Sequence, residues 1–297
     1  MTRHFLTGEE LDAAELDRLL ARADELKRDR GASRALAGRS VALVFERPST
    51  RTRISFEVGV SEMGGTPVVL REGEMQLSRG ESVRDTALVL SRYVDAIGVR
   101  TGPHAVVEEL ADHASVPVIN MLTTAHHPCQ ALADLQTLRG RFGGTSGLKL
   151  AYVGDGNNVT HSLMLLGVRA GVEVAVATPA ERAPQPEVVE RARAFGTVTL
   201  TNDPREAAEG AHALYTDVWV SMGDETEAAE QRALLEPYRL DEALLDAARP
   251  EAIALHCLPA HVGEEISEEA LYGPRSAIFD QAENRLHAQK ALLELLV

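Results

Sequence analysis

Cysteine is nearly absent: Cys129 and Cys257 are the only two in a chain of 297 residues. Two are too few for a disulfide framework, which excludes a small cross-linked scaffold and predicts reduced thiols in a cytoplasmic setting. Lysine is almost as scarce. Lys27, Lys149 and Lys290 stand alone among 30 basic residues, so nearly all positive charge is guanidinium. Positive charge is itself in deficit, with a formal net charge of −15. That balance argues against nucleic acid or an anionic membrane surface as a partner. Aromatic residues make up only 4%, yet 44% of the chain is apolar, enough for ordinary aliphatic cores. No apolar run approaches the roughly 20 residues that cross a bilayer. The opening Met1-Thr2-Arg3-His4-Phe5 has no apolar signal core. No internal repeat or low-complexity tract is present.

What is present is alternation. Short apolar runs trade places with helical patterns, the mark of an α/β chain with parallel sheets. Strands are expected at Val41–Phe45, Pro67–Leu70, Ala96–Val99 and Val116–Asn120, then at Lys149–Val153, Val172–Ala177, Thr197–Leu200, Ala213–Tyr215 and Ile253–His256. Helices are expected at Glu9–Lys27, Val83–Tyr93, His104–His113 and Gln130–Arg139. Arg141-Phe142-Gly143-Gly144-Thr145-Ser146-Gly147 collects glycines and small hydroxyls and reads as the break between two sheets. The polar, acidic stretch from Gly223 to Gln231 reads as a loop over a site.

The most informative segment is Phe45-Glu46-Arg47-Pro48-Ser49-Thr50-Arg51-Thr52-Arg53. A strand ends at a proline, and a helix begins among hydroxyls and arginines, with Ile54, Phe56, Val58 and Met63 following near helical spacing. A helix N-terminus presents free N–H groups and the positive end of the dipole. Ser and Thr there cap the helix or donate to a ligand, and Arg grips an anion bidentately. The pattern describes a phosphate cradle. The alternative is an ordinary N-cap followed by solvated arginines. In an acidic chain, Arg51, Arg53, Arg71, Arg79, Arg84 and Arg100 are concentrated where such a cradle needs them.

Three further segments follow in order: His127-Pro128-Cys129-Gln130, Asp217-Val218-Trp219-Val220-Ser221-Met222-Gly223 and His256-Cys257-Leu258-Pro259. With Ser49-Thr50-Arg51-Thr52-Arg53 they resemble the signatures of the aspartate/ornithine carbamoyltransferase superfamily, enzymes that move a carbamoyl group from carbamoyl phosphate to an amine. The last two resemble its ornithine branch. The resemblance runs from residue 45 to Arg285. It implies two open parallel-sheet α/β domains joined by interdomain helices: a carbamoyl-phosphate domain of residues 1–141 plus a returning C-terminal helix of about 281–297, and an amino-acid domain of 142–280. It further implies transfer to the δ-amine of L-ornithine, giving citrulline and phosphate, a step of arginine biosynthesis, without a metal or organic cofactor. It implies a homotrimer or a multiple of trimers in the cytoplasm.

Residue by residue, the resemblance places Ser49, Thr50, Arg51 and Thr52 on the phosphate, with Thr52 also directed at the carbonyl. Arg53 is the weaker choice, because one of the paired arginines usually makes a structural ion pair. His127 donates to the carbonyl oxygen, and Gln130 offers its oxygen to the carbamoyl NH2. Pro suits the first position of a helix, and a residue three places on shares a face with the helix mouth, so the local pattern agrees. Arg100, at a strand end, and Arg285 clamp the carbonyl and phosphate. Gln76, in a polar loop, reaches the neighbouring subunit's site. Asn158, Asp217, Ser221 and the Met222 backbone take ornithine. Cys257 lies near the attacking amine, and the carbonyls of Cys257 and Leu258 hold the carbamoyl NH2. No covalent intermediate is expected, since carbamoyl phosphate is already activated. The pair His126-His127 is not read as a metal site, because adjacent histidines point apart and no carboxylate or Cys set completes the ligands.

Two positions depart from the family's usual pattern. Arg47 stands where many relatives carry Lys, and Ala260-His261-Val262 lacks the basic residue often found after His-Cys-Leu-Pro. Three competing functions remain open at the level of sequence. One is transfer to another amine, such as putrescine, acetylornithine or aspartate. A second is a non-catalytic subunit on the same fold. A third is a nicotinamide-dependent dehydrogenase built on Gly154-Asp155-Gly156, although Val159 occupies the place of the third glycine in G-x-G-x-x-G.

Overall fold

The computed structural model describes residues 2–74, 80–220 and 228–297. The chain forms two compact units, Met1–Gln136 with Asn284–Val297 and Thr137–Glu283. In the first unit, α1 (Ala13–Arg28) begins at a capping box. Asp12 accepts the Glu15 N–H at 2.8 Å, and Glu15 reaches back to the Asp12 N–H. The helix therefore starts later than Glu9. Glu10 instead accepts the backbone N–H groups of Leu6, Thr7 and Gly8 and holds a turn.

There follow β1 (Ser40–Phe45), α2 (Thr50–Glu62), β2 (Thr66–Arg71), α3 (Val83–Leu90), β3 (Ala96–Arg100), α4 (His104–His113), β4 (Val118–Leu122) and α5 (Pro128–Phe142). The strands are parallel, in the order β2-β1-β3-β4. Strand β4 starts at Val118, not Val116, because Pro117 has no N–H for the ladder and its carbonyl accepts from Ile97. Helix α3 is shorter than expected, closing at Leu90, with Tyr93 in the turn that follows.

The second unit carries β5 (Lys149–Val153), α6 (Asn158–Arg169), β6 (Glu173–Ala177), α7 (Pro186–Arg193), β7 (Val198–Thr201), α8 (Pro204–Ala208), β8 (Ala213–Thr216), α9 (Ala228–Leu235), α10 (Glu242–Leu245), β9 (Ile253–His256) and α11 (Glu268–Tyr272), and the chain closes with α12 (Ile278–Leu296). Its strands are also parallel, ordered β7-β6-β5-β8-β9. The predicted loop from Gly223 to Gln231 is corrected in its last part, since Ala228 opens α9. Residues 221–227 lie outside the described residues.

Strands buried on both faces, such as β3, β5, β8 and β9, are continuous apolar runs, as parallel strands require. In each sheet the strand order reverses once, between β1 and β3 and between β5 and β8. Such switch points open crevices at the carboxyl ends of the strands, the favoured ligand position in open α/β sheets. The chain passes between its units inside α5 and again inside α12. The last part of α12 is anchored within the first unit. Lys290, fully buried, donates to the Arg30 carbonyl at 2.6 Å and to Glu62 at 2.8 Å, while Lys27 donates to Asn284 at 2.8 Å. Among the described residues, no helix is long and apolar enough to cross a membrane.

Candidate active site

At the first switch point, β1 runs into the turn that starts α2. Ser49 is the N-cap, in extended conformation, and its hydroxyl accepts the Thr52 N–H at 3.3 Å. No acidic residue sits in the first turn of α2, so nothing on the helix offsets the positive end of its dipole. Thr52 is fully buried. Its hydroxyl oxygen accepts from Arg285 Nη2 at 2.8 Å and Arg100 Nη1 at 3.4 Å. Accepting twice, the hydroxyl keeps its own proton to donate. Arg100 ends β3, at the far side of the same switch point, and is 9% exposed. Arg285 Nη1 donates to Gln130 Oε1 at 3.1 Å, and Gln130 Nε2 donates to Asp134 at 2.8 Å. The Gln130 oxygen, expected to face a ligand NH2, is thus already engaged by Arg285, though a carbonyl oxygen has a second lone pair.

Pro128 is the first residue of α5, so His127 stands at the helix mouth. His127 is buried, and burial pushes its pKa well below the ordinary value of 6.5, with Arg285, Arg100 and Arg51 pushing the same way. Those three arginines therefore lie around one neutral imidazole. Cys129, also in this motif, is fully buried and donates to the Asn120 carbonyl at 3.3 Å. Burial raises its thiol to about 12, so it is a core residue rather than a nucleophile. Arg53 pairs with Glu57 at 3.1 Å on the outer side of α2. A cavity of about 530 Å³ opens against Ser49, Thr50, Arg53 and Ile54, bounded by Val69 and Arg71. It shares Ser49 and Thr50 with the cradle but reaches neither Arg100 nor His127.

In the second unit, β5 leads through Gly154-Asp155-Gly156 into α6. Gly154 has φ 134°, and a Cβ on Gly156 would lie 2.4 Å from the Arg182 carbonyl oxygen. These glycines serve a tight turn and a close backbone approach, without the third that a dinucleotide turn requires. Asn157 is the N-cap of α6, accepting the N–H groups of Val159 and Thr160, and Asn158 is the first helical residue. Asn157 Nδ2 also donates to Asp217 Oδ2 at 2.8 Å. Asp217, just past β8 and 6% exposed, accepts on Oδ1 from its neighbour Val218 N–H at 2.8 Å and from Cys257 Sγ at 2.9 Å. Cys257 and Leu258 follow β9, and Leu258 has φ 60° with a cis bond to Pro259. Tyr152 is fully buried below this group. Burial, Asp217, Asp155 and Cys257 all raise its pKa well above 10, against a lowering hydrogen bond from Thr160, so it stays a neutral phenol.

Gln76, Ser221 and Met222 lie outside the described residues. Asn157, Tyr152 and the buried pair His256 and Glu265 went unassigned in the sequence reading. Two of them left a signal there: His256 opens the His256-Cys257-Leu258-Pro259 motif, and an Asn after Gly-Asp-Gly at a helix start is an N-cap pattern. Among the described residues, two groups present three metal-capable atoms within 4.8 Å: Asp217 with His256 and Cys257, and His261 with Glu264 and Glu265. In the first, Asp217 and Cys257 bond each other; in the second, Glu264 pairs with Arg232 at 3.0 Å.

The chain matches two family models along nearly its whole length. Residues 3–140 match the aspartate/ornithine carbamoyltransferase carbamoyl-P binding domain, and residues 146–296 match the Asp/Orn binding domain of the same family. It is 56% identical to the ornithine carbamoyltransferase of Parafrankia sp. (strain EAN1pec), covering 99% of this chain and 96% of that one. It is 55% identical to that of Acidothermus cellulolyticus, covering 100% and 97%. The solved ornithine carbamoyltransferase from Pyrococcus furiosus superposes with a TM-score of 0.95 at 46% identity, over 99% of this chain and 96% of that one. With its ordered motifs gathered at the carboxyl ends of two parallel sheets, the chain belongs to the aspartate/ornithine carbamoyltransferase family.

Proposed function

We propose that the protein transfers the carbamoyl group of carbamoyl phosphate to the δ-amine of L-ornithine, giving L-citrulline and phosphate in arginine biosynthesis. The observation that carries this reading is the buried Thr52 hydroxyl in the first turn of α2, which accepts from both Arg285 and Arg100 where no acidic residue offsets the helix dipole. Ser49, Thr50, Arg51 and Thr52 take the phosphate dianion. Arg100, Arg285, Thr52 and His127 face the carbonyl oxygen, where negative charge grows as the tetrahedral centre forms. A neutral imidazole is suited to donating a hydrogen bond there without losing its proton. Gln130 and the carbonyls of Cys257 and Leu258 orient the carbamoyl NH2.

Ornithine is held in the second unit. Asn158, Ser221 and the Met222 backbone take the α-amino-acid end, and Asp217 accepts from its ammonium. The neutral δ-amine attacks the carbonyl carbon, the C–O bond to phosphate breaks, and the amine proton leaves with the phosphate. Cys257, hydrogen-bonded to Asp217, lies beside the attacking nitrogen and forms no covalent bond with substrate.

The assembly in this reading is a trimer, with Gln76 completing a neighbouring site. Exposed apolar side chains of the first unit support it: Ile54 (53%), Val68 on the edge strand β2 (38%) and Tyr93 (76%). The scarcity of cysteine supports a cytoplasmic location. One experiment tests chemistry and assembly together. Citrulline formation is assayed with ornithine beside putrescine, acetylornithine and aspartate, for wild type, Arg51→Ala, Gln76→Ala and subunits of the two variants mixed after dissociation. Ornithine is the preferred amine, each variant is inactive, and mixing restores activity. Preference for another amine overturns the substrate, and inactive mixtures overturn the shared site.

A further inference from the structure

Helix α9 buries Gln231 and Leu235, one turn apart on a single face. Leu235 packs into the apolar core of the second unit, which also holds Trp219. An aliphatic residue at 231 would extend that face, whereas a buried amide costs free energy unless it is hydrogen-bonded. Gln231 is 6% exposed, and its Nε2 donates to the Trp219 carbonyl and, at 3.4 Å, to Asp155 Oδ2. A carbonyl and a carboxylate both accept, so the amide presents its nitrogen to them.

The two partners belong to the loops at the carboxyl ends of β5 and β8, neighbouring strands at the switch point of the second sheet. Asp155 lies in the turn from β5 to α6. Its carbonyl accepts the Asn157 N–H at 2.8 Å and the Thr160 hydroxyl at 3.1 Å. Trp219 lies two residues beyond Asp217, after β8. Asn157 Nδ2 and Asp217 Oδ2 join the same two loops at 2.8 Å. The switch point is thus tied twice, once directly and once through α9. The β5 turn has a physical need for the second tie. Glycines stand on both sides of Asp155, and glycine leaves the backbone more freedom than any other residue.

We infer that Gln231 is a positioning residue for the amino-acid substrate, holding the turn that leads into Asn157 and Asn158 against the segment that carries Asp217. The inference rests on the proposed assignment of Asn158 and Asp217 to ornithine. Gln231 acts through these groups and not on the substrate itself. Its loss loosens the groups for one substrate and leaves the phosphate cradle, built in the first unit, as it was. A role confined to seating α9 would lower the melting temperature without separating the two substrates.

The test uses full-length Gln231→Leu, Gln231→Glu, Gln231→Lys and Asp217→Asn, each with a melting curve, kcat and KM for both substrates, and calorimetric binding of inorganic phosphate. Leu keeps the bulk and loses the donors. Glu keeps the shape but turns acceptors towards two acceptors. Lys keeps donors that reach both partners. The expected result is a KM for ornithine raised about tenfold in the Leu and Glu variants, the scale of one hydrogen bond to a charged group. Lys stays within about threefold of wild type, and phosphate binding and the KM for carbamoyl phosphate are unchanged in all three. If the Glu variant does not fold, the Leu and Lys variants decide. A Leu variant with the wild-type KM for ornithine, a Lys variant as impaired as Leu, or an equal rise in both KM values overturns the inference. If Asp217→Asn also leaves ornithine kinetics unchanged, the assignment of this sheet end to ornithine has failed, and the inference with it.

Discussion

Arg285 Nη2 and the Thr52 hydroxyl are joined at 2.8 Å across 233 residues of sequence. The same guanidinium holds Gln130 through Nη1 at 3.1 Å. One planar fork therefore ties the first turn of α2 to the first turn of α5, a pre-organised arrangement of donors.

Arg285→Ala is expected to lower kcat/KM for carbamoyl phosphate about a hundredfold or more, the scale of losing an oxyanion donor. Arg285→Lys recovers little, because a compact ammonium does not span Thr52 and Gln130 together. Steady-state kinetics of the two variants check this; a Lys variant near wild type would show that charge alone suffices.

His127 predicts an acid-side loss of stability. Its folded pKa lies below the unfolded value near 6.5, so the unfolded chain binds the extra proton as pH falls. The native state loses up to about 1.4 kcal/mol per pH unit from this residue below about pH 6.5, down to the folded pKa. Urea titrations between pH 7.5 and 5.0 should show a shallower pH dependence in His127→Asn than in wild type.

Cys129, with its thiol near 12, is expected to resist alkylation in the native protein at pH 8 and to react only on unfolding. Mass spectrometry of iodoacetamide-treated protein, native and denatured, distinguishes it from the half-buried Cys257. Native modification of Cys129 would contradict its burial.

Asn157 has two separable tasks. Asn157→Ser keeps a capping oxygen and loses the amide donated to Asp217, while Asn157→Ala loses both. The Ala variant should be less stable by about 1 kcal/mol and the Ser variant close to wild type. Both should lose about tenfold in kcat/KM for ornithine, the value of one hydrogen bond to a charged group. Equal stability with unequal activity would reverse the assignment.

The δ-amine of ornithine resembles a lysine amine, with an ordinary pKa of about 10.4. Attack requires the neutral form, so kcat/KM for ornithine should climb between pH 7 and 9. A flat profile would mean that deprotonation does not limit the rate.

The strands were legible because buried parallel strands have little choice of composition: Lys149–Val153 and Ile253–His256 fall where their apolar runs place them. Ends were less legible wherever one hydrogen bond decides them. Pro117 delays β4, and Glu10 turns its carboxylate onto the preceding backbone instead of opening α1. At the site, the hydroxyls and arginines at the start of α2 stand in one continuous stretch of sequence, and their clustering was legible there. Partnerships spanning a fold were not. Nothing near His256 announces Glu265, and nothing near Asp217 announces Asn157, because each pair is assembled by sheet order rather than by spacing.

Arg285 and Lys290 both complete the first unit from the far end of the sequence. Synthesis runs in one direction, at about 5–20 residues per second. Thr52 therefore waits roughly ten to fifty seconds for its partner, and a ribosome-bound fragment holding the first 136 residues presents hydroxyls and two of the three arginines without the fork that aligns them. The fork on Thr52 is therefore completed only when the helix bearing residue 285 has been made, late in synthesis although the segment it aligns emerges early.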